Sequence, residues 1–407
     1  MNSFKFLILL ITSIFISHVA KAQFTLSGEF RPRIELNRGY KNLATNGQDL
    51  STITTQRTRL NATFKNENII TKLVLQDVRQ WGSQPQLVAN EDYGISMHEA
   101  WAQILFTPEF SLKVGRQEVS YDDQRIFGAV NWSQQARSHD MAIFKYESTF
   151  KLNFGIAHHE NSNLTNNIYN GPDAYKDLQF LWFHQVWDKS SLSLLALNNG
   201  VPVMKDNNQV SRYSQTIGGR YILSPGYVNL SSNLYYQTGK HVSGKDISAF
   251  NFLFEAAITN FTLGYEYLSG TSYDETKKIK SFTPLYGTNH KFNGFMDYFY
   301  VGNHIGSVGL NDVYLKYKYT KNKFDFNAHL HYFAAAAKVA ENSDRYLGTE
   351  LDLSASWAVN PTALISFGYS TLFAGNSMEI LRGGNSSTGQ HWAYVMLSVT
   401  PDFIESK

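Results

Sequence analysis

The last third of the chain repeats one pattern, in which about ten residues alternate between apolar and polar before a polar turn. The segment at 324–332 shows it: Phe324, Phe326, Ala328, Leu330 and Tyr332 alternate with Asp325, Asn327, His329 and His331. The segment at 347–357 repeats it, with Leu347 first on its apolar side. Because neighbouring strand side chains point to opposite faces, each segment has one apolar and one polar face. A soluble sandwich packs its apolar faces together, whereas a transmembrane barrel turns them to lipid and its polar faces to a water-filled lumen.

The N-terminus favours the barrel. Lys5 precedes an apolar run over residues 6–16, and Ala-Lys-Ala follows at 20–22. This is the pattern of a secretory signal peptide, and the run is shorter than the roughly 20 residues that a membrane helix needs. We therefore expect residues 1–22 to be removed after Ala22, and residues 23–407 to form one outer-membrane β-barrel domain in a Gram-negative bacterium. An uncleaved anchor is the alternative.

Composition agrees with a barrel. Aromatic residues make up 14% of the chain, with 24 Tyr and 28 Phe, yet the mean hydropathy is −0.30 because alternate strand positions are polar. Tyr and Trp are typical of the aromatic girdles at the two membrane interfaces. The absence of cysteine excludes a disulfide scaffold and a thiolate site. A large secreted β-rich domain that does not span the membrane is the alternative.

Eighteen segments alternate in this way, from the first at 24–36 to the last at 392–400. Short and long polar connections take turns between them, so the predicted fold is all-β, a transmembrane antiparallel up-and-down β-barrel with long extracellular loops. Segment boundaries read from sequence shift by several residues, which leaves 16 strands as an alternative. Two aromatic-rich connections, at 120–140 and 270–309, are long enough to be functional. We expect them to fold over or into the pore, with extracellular decoration as the alternative.

No constellation for catalysis is present: the chain has no G-x-S-x-G, no H-E-x-x-H and no glycine-rich phosphate loop. His329 and His331 share a strand face, but the sequence shows no third metal ligand beside them. Asp122 and Asp123, together with Glu118, fit either a calcium site or ordinary loop acids that pair with Arg125. We expect neither catalytic residues nor a cofactor, and we name no metal ligand.

Cations on the polar faces suggest what the lumen prefers. Arg57 and Arg59 share a face of one strand, and Lys316 and Lys318 share a face of another. Arginine clusters favour anions because they offer fixed, bidentate donors to carboxylates and phosphates. The alternative is that they neutralise lumenal acids, for which the candidates are Glu99, Glu266, Glu350 and Asp352.

Overall charge gives no support for a polyanion partner. Of the 36 Lys and Arg residues, Lys5 and Lys21 leave with the signal peptide, so 34 remain against 34 acidic residues. Selectivity would therefore have to come from local clustering of charge, and no nucleic-acid partner is expected.

Two segments carry a resemblance to a known family. Residues 115–125 read Gly-Arg-Gln-Glu-Val-Ser-Tyr-Asp-Asp-Gln-Arg, and Trp132, Gln134, Arg137 and Asp140 follow. Residues 284–298 read Pro-Leu-Tyr-Gly-Thr-Asn-His-Lys-Phe-Asn-Gly-Phe-Met-Asp-Tyr. With these segments the chain resembles the alginate export family of outer-membrane barrels, in the shorter form typical of gliding and marine-type Gram-negative bacteria.

The resemblance implies an 18-stranded outer-membrane barrel. It also implies secretion of a polyuronate through an arginine-rich constriction that loops cover, with Arg116, Arg125 and Arg137 as constriction residues. We therefore expect a passive channel for an anionic polysaccharide or its oligomers. The expected partners are outer-membrane lipid, alginate or uronate oligomers, and periplasmic secretion proteins. A general diffusion porin without sugar preference and a non-spanning secreted β-rich binding protein are the alternatives.

Overall fold

A computed structural model describes residues 22–84, 86, 94–160, 169, 175–206, 208–288, 290–300, 304 and 306–406. Residues 1–21, which include nearly all of the expected signal peptide, lie outside this range. The strands are β1 Gln23–Arg38, β2 Ser51–Lys65, β3 Ile69–Gln80, β4 Ser96–Leu105, β5 Phe110–Gln117, β6 His139–Glu147, β7 Phe150–His158, β8 Asp177–Trp187, β9 Ser190–Lys205, β10 Asn208–Leu223, β11 Val228–Lys240, β12 Asp246–Ile258, β13 Phe261–Leu268, β14 Lys278–Ile279, β15 Leu310–Lys321, β16 Phe324–Ala334, β17 Tyr346–Asn360, β18 Ala363–Ala374, β19 Gln390–Val399 and β20 Asp402–Glu405. A short helix, α1, spans Asn376–Arg382.

The strands form one closed antiparallel barrel. Each long strand pairs with its neighbours in sequence, and β1 closes the ring by pairing with both β2 and β19. The two-residue strand β14 lies parallel to β12, and β20 pairs with the start of β1 just beyond Pro401. Apart from these two short pieces, eighteen strands make up the barrel, which confirms the predicted fold class and count.

Burial in the barrel is inverted relative to a soluble protein. Outward positions carry exposed apolar side chains such as Ile34, Leu234 and Leu263. Inward positions carry charged groups that are almost fully buried, among them Arg57 at 1% exposure and Glu350 at 0%. Such a surface suits lipid rather than water, because a soluble chain rarely exposes a continuous apolar band.

The connections at the two ends of the barrel differ in length. At one end tight turns join the strands, as at residues 66–68 between β2 and β3 and at residues 322–323 between β15 and β16. The longest connections all lie at the other end. Outer-membrane barrels place their short turns in the periplasm and their long loops outside. Among the described residues, no helix is long and apolar enough to cross a membrane.

One detail of the alternation is wrong. Leu347 was expected on the apolar, lipid-facing side of its segment, but it is fully buried. The pairing of β16 with β17 shifts between Phe333 and Ala334, so Phe333 faces Gly348 whereas Ala334 faces Tyr346. A bulge of this kind turns one side chain to the other face of the sheet.

Candidate functional site

Two long loops fold into the barrel and cross its lumen. We call residues 118–138, between β5 and β6, loop A, and residues 269–309, between β13 and β15, loop B. Loop A contacts strands around the whole ring: Asp122 accepts a hydrogen bond from Trp182 on β8, and Asp123 pairs with Arg220 on β10 at 2.8 Å. Further on, Arg125 pairs with Glu266 on β13 at 2.7 Å. The expectation that these loops enter the pore is confirmed.

These contacts also bear on the candidate calcium site in loop A. Asp123 is held by Arg220 and by the Asn233 amide at 2.6 Å, whereas Asp122 faces Trp182. Burial raises the pKa of the Asp122 carboxyl. The two acids therefore serve as separate anchors of loop A on the barrel wall. Asp123 pairs with Arg220 rather than with Arg125, the partner that the sequence suggested.

Loops A and B bind each other inside the lumen. The Gly128 amide donates to the Tyr286 carbonyl at 2.9 Å, and the Thr288 amide donates to the Gln124 carbonyl at the same distance. The Arg137 guanidinium donates to the Gly287 carbonyl at 3.0 Å. Because these bonds join the backbones of both loops, the loops form one plug, and we use that name for the pair below.

A wall of four arginines lies where the plug meets β1 and β2. Arg31 and Arg33 come from β1, and Arg57 and Arg59 from β2, with Arg31 directly opposite Arg57 in the pairing register. Glu29 pairs with Arg57 at 2.5 Å and Glu35 pairs with Arg33 at 3.0 Å. These strands thus supply four cations and two anions to the lumen, and we call this set the basic wall.

The basic wall holds loop A through its backbone. Arg31 donates to the Asn131 carbonyl at 2.9 Å and to the Ser133 carbonyl at 3.1 Å, while Arg33 donates to the Trp132 carbonyl at 2.8 Å. Arg33 also lies 4.2 Å above the Trp132 ring. Neutral carbonyl groups therefore occupy guanidinium donors that a carboxylate would bind more strongly.

An acidic wall faces the other side of the plug. Glu266 on β13, Asp312 on β15, and Glu350 and Asp352 on β17 are all buried. Glu350 accepts a hydrogen bond from the Met296 amide of loop B at 2.7 Å. Gly294 fits beside it because its φ is +84° and because a Cβ there would lie 2.5 Å from the Glu350 Oε1 atom.

The predicted site residues fall into three groups: cations on the strand faces that line the lumen, cations in the plug, and Arg116. Arg57, Arg59, Lys316 and Lys318 lie on lumenal faces, as the alternation indicated; Lys316 pairs with Glu255 at 3.1 Å, and Lys318 is exposed near the short-turn end. Arg125 and Arg137 lie in the plug.

Arg116 is placed differently. It shares a face with Leu112 and Val114, so it points away from the lumen, where it is 40% exposed and pairs with Asp140 at 2.7 Å. Arg116 therefore does not line the constriction, because it lies on the same face of β5 as the outward-pointing residues Leu112 and Val114.

Sequence reasoning missed several lumenal charges. Arg31, Arg33 and Glu29 alternate with Phe30 and Ile34 on β1, so the same parity rule that selected Arg57 would have found them. Arg220, which holds Asp123, sits on β10 next to Gly218 and Gly219, where the apolar alternation is weak.

Cavities lie on both sides of the plug. On the long-loop side, a cavity of about 550 Å³ is lined by Arg33, Lys41, Arg79, Trp132 and Asp297, among others. On the short-turn side, a cavity of about 280 Å³ is lined by Lys113, Lys145 and Lys151 together with Glu118 and Glu147. Basic side chains therefore line the lumen on the short-turn side of the plug, beside the plug and on its long-loop side.

The family model for alginate export matches residues 22–159 and 183–391, which is most of the barrel. The chain belongs to the alginate export family. No curated protein matches it in sequence. The alginate export family and this fold are those of outer-membrane channels rather than enzymes, so the protein is a passive channel in the outer membrane.

Solved structures with the same fold are outer-membrane porins. OccK8 (OprE) of Pseudomonas aeruginosa aligns with a TM-score of 0.61 at 12% identity, over 94% of this chain and 98% of that one. A BenF-like porin from Pseudomonas fluorescens aligns at 0.60 and 11%, over 93% and 99%. OpdK of Pseudomonas aeruginosa, determined with vanillate, aligns at 0.58 and 11%, over 93% and 99%. At these identities the similarity establishes the fold alone.

Acid is expected to loosen loop B through His304. Its Nε2–H donates to the Gly309 carbonyl at 2.9 Å, while Nδ1 accepts from Arg382 of α1 at 2.9 Å. Burial, followed by the charge of Arg382, lowers the pKa of His304 to about 4. The released loop binds the proton more readily, so stability is complete at neutral pH and falls by roughly 3 kcal/mol as the pH drops from 6.5 to 4.

Protease cleavage of loop B, measured at pH 7.5 and pH 4.5, tests this expectation. The wild type should become more sensitive at the lower pH. His304→Gln should lose most of that change, because glutamine retains one donor and one acceptor but does not titrate. An equal acid response in both proteins would contradict the role of His304.

Proposed function

We propose that the protein conducts an anionic polysaccharide or its oligomers, of the alginate-like uronate class, passively across the outer membrane. The observation that carries this proposal is the local excess of cations in the basic wall, on the side of the plug opposite the acidic wall. The basic wall sets four guanidinium groups against Glu29 and Glu35. A fixed excess of positive charge in a narrow, poorly solvated passage favours anions over cations.

Arg59 is the group best placed to bind a passing carboxylate. Its Nε atom donates to Gln76 at 2.7 Å, and the nearest carboxylate oxygens, from Glu29 and Glu118, are 3.9 Å away. Among the described residues, its buried Nη2 atom has no hydrogen-bond partner. A sugar carboxylate at this position would supply the missing acceptor through a charge-assisted bond.

The same chemistry suggests how cargo opens the path. Loop A is held to the basic wall by backbone carbonyls of residues 131–133, which are neutral acceptors. A carboxylate carries a full negative charge and can accept two parallel hydrogen bonds from one guanidinium, which a neutral carbonyl cannot do. A uronate chain would therefore compete with loop A for Arg31 and Arg33, and so displace the plug as it advances.

The cavity on the short-turn side, which is lined by Lys113, Lys145 and Lys151 and which we call the lysine cavity, is expected to attract the cargo. Replacing Lys113, Lys145 and Lys151 together with glutamine should lower the rate at which uronate oligomers, added from the short-turn side, block the current by about tenfold, because attraction by a charged cleft raises association rates. Single-channel recording in planar bilayers gives this rate directly.

A matched control uses Lys65, Lys189 and Lys323, which are exposed at the same end of the barrel outside this cavity. Changing these three to glutamine removes the same net charge and should leave the blocking rate nearly unchanged. An equal decrease in both triple variants would mean that overall charge, and not the lysine cavity, attracts the cargo. Absence of block in the unmodified protein would favour a general diffusion porin.

A further inference from the structure

A group of metal-binding side chains lies on the acidic side of the lumen. His329 and His331 on β16 and Asp352 on β17 place one ligand atom each within 4.8 Å of one another. The strand register sets His329 directly opposite Asp352 and His331 directly opposite Glu350. The sequence showed the histidine pair, but only the pairing of β16 with β17 brings the third ligand beside it.

His331 is already oriented as a metal ligand. Its Nδ1 atom lies 2.9 and 3.1 Å from the two carboxylate oxygens of Asp312, so Nδ1–H donates to that carboxylate and Nε2 is the atom turned toward Asp352. That Nε2 atom is 3.9 Å from Asp352 Oδ2. Histidines that bind metals commonly donate their second nitrogen to a carboxylate in this way. The three ligand atoms lie within 4.8 Å of one another, whereas ligands of a tetrahedral zinc ion are about 3.3 Å apart, so binding would shorten these separations by up to about 1.5 Å.

Buried carboxylates surround these ligands, and Lys316, which lies opposite His329 in the register of β15 and β16, pairs with Glu255 at 3.1 Å. Glu266, Asp312, Glu350 and Asp352 are each 0–1% exposed, and Arg125 is the guanidinium that pairs with the first of them. Among the described residues, the buried Oε2 atom of Glu350 has no hydrogen-bond partner. Buried carboxylates are costly unless they are paired, protonated or coordinate a metal, so a divalent cation bound here would offset part of that cost.

We propose that His329, His331 and Asp352 bind one divalent transition-metal ion of the Zn²⁺ class, with Asp312 as the orienting group behind His331. Two imidazoles and one carboxylate suit zinc, whereas calcium and magnesium prefer sites built from oxygen alone. The site lies beside loop B, since the Phe295 and Met296 amides approach Asp352 and Glu350. A bound ion would thus sit where the plug is anchored.

The test is a zinc titration of the untagged, folded barrel in detergent, after dialysis against a chelator and in competition with a chromophoric zinc indicator. The unmodified protein should bind one Zn²⁺ per chain. His329→Gln should weaken binding by at least about 100-fold, and Asp312→Asn by about 10- to 100-fold. Among the described residues His329 makes no hydrogen bond, so its replacement should leave the fold intact, and heat-modifiable migration in gels verifies this.

His184→Gln is the control, because His184 is a lumenal histidine on β8 that bonds Ser193 instead of a carboxylate. It should bind zinc like the unmodified protein. Equal affinities in the His329→Gln and His184→Gln variants would overturn the proposal. So would an unmodified barrel that binds no Zn²⁺, or one that binds Ca²⁺ more tightly than Zn²⁺.

Discussion

Replacing Arg125 with alanine is expected to give a channel of larger conductance and lower thermal stability. Arg125 is 3% exposed and pairs with Glu266 at 2.7 Å, and it also donates to Asn293 of loop B at 3.0 Å. Its loss removes the tether of loop A to β13 and one link within the plug. The Glu266 carboxylate is left buried without its partner, which costs about 3–5 kcal/mol. Planar-bilayer recording gives the conductance, and heat-modifiable migration against temperature gives the stability.

The double variant Arg125→Ala/Glu266→Gln separates these two effects. Neutralising Glu266 removes the unpaired buried charge, so stability should return toward that of the unmodified barrel. The tether is still absent, so the conductance should stay high. If Arg125→Ala conducts like the unmodified protein, loop A does not depend on this ion pair for its place in the lumen.

Replacing Arg59 with serine is expected to reduce the preference for anions, and the double variant Arg57→Ser/Arg59→Ser should abolish it. Removing one guanidinium from the ion path changes the local energy of an anion by about 1 kcal/mol, or roughly fivefold in the anion-to-cation permeability ratio. The double change also leaves the negative charge of Glu29 without its closest partner, Arg57, which lies 2.5 Å away. Reversal potentials in a salt gradient measure the ratio directly.

Arg116→Ser is the matched control for the single change. It removes the same charge from an arginine on the outward face, where Arg116 pairs with Asp140. Its reversal potential should equal that of the unmodified channel. A shift as large as that of Arg59→Ser would show that selectivity follows net charge and not the basic wall.

The sequence alone was sufficient to predict the barrel fold and many of the residues that face its lumen. Strand alternation is a local property, so each segment could be recognised without knowing its neighbours, and the parity of Lys316 and Lys318 gave their lumenal direction correctly. The family resemblance implies a place in the constriction for Arg116, whereas its alternation with Leu112 and Val114 along β5 predicts the outward face. For Arg116, strand alternation is therefore a better predictor of side-chain direction than the family resemblance.

The interior of the lumen could not be predicted in the same way. The bond between Arg31 and Gln134 joins residues 103 positions apart, and the neighbourhood of His329 and Asp352 depends on the register of two strands. Neither relation leaves a local pattern in the sequence. The bulge that buries Leu347 is similar, because it arises from a shift in pairing between β16 and β17.

The reversal potential of the unmodified channel, recorded in a salt gradient and followed by addition of uronate oligomers from the short-turn side, tests the central claim most directly. The basic wall and the lysine cavity predict a preference for anions and a block by uronates that neutral oligosaccharides of equal length do not produce. A preference for cations, or equal block by charged and neutral sugars, would contradict the proposal that this lumen selects an anionic polysaccharide.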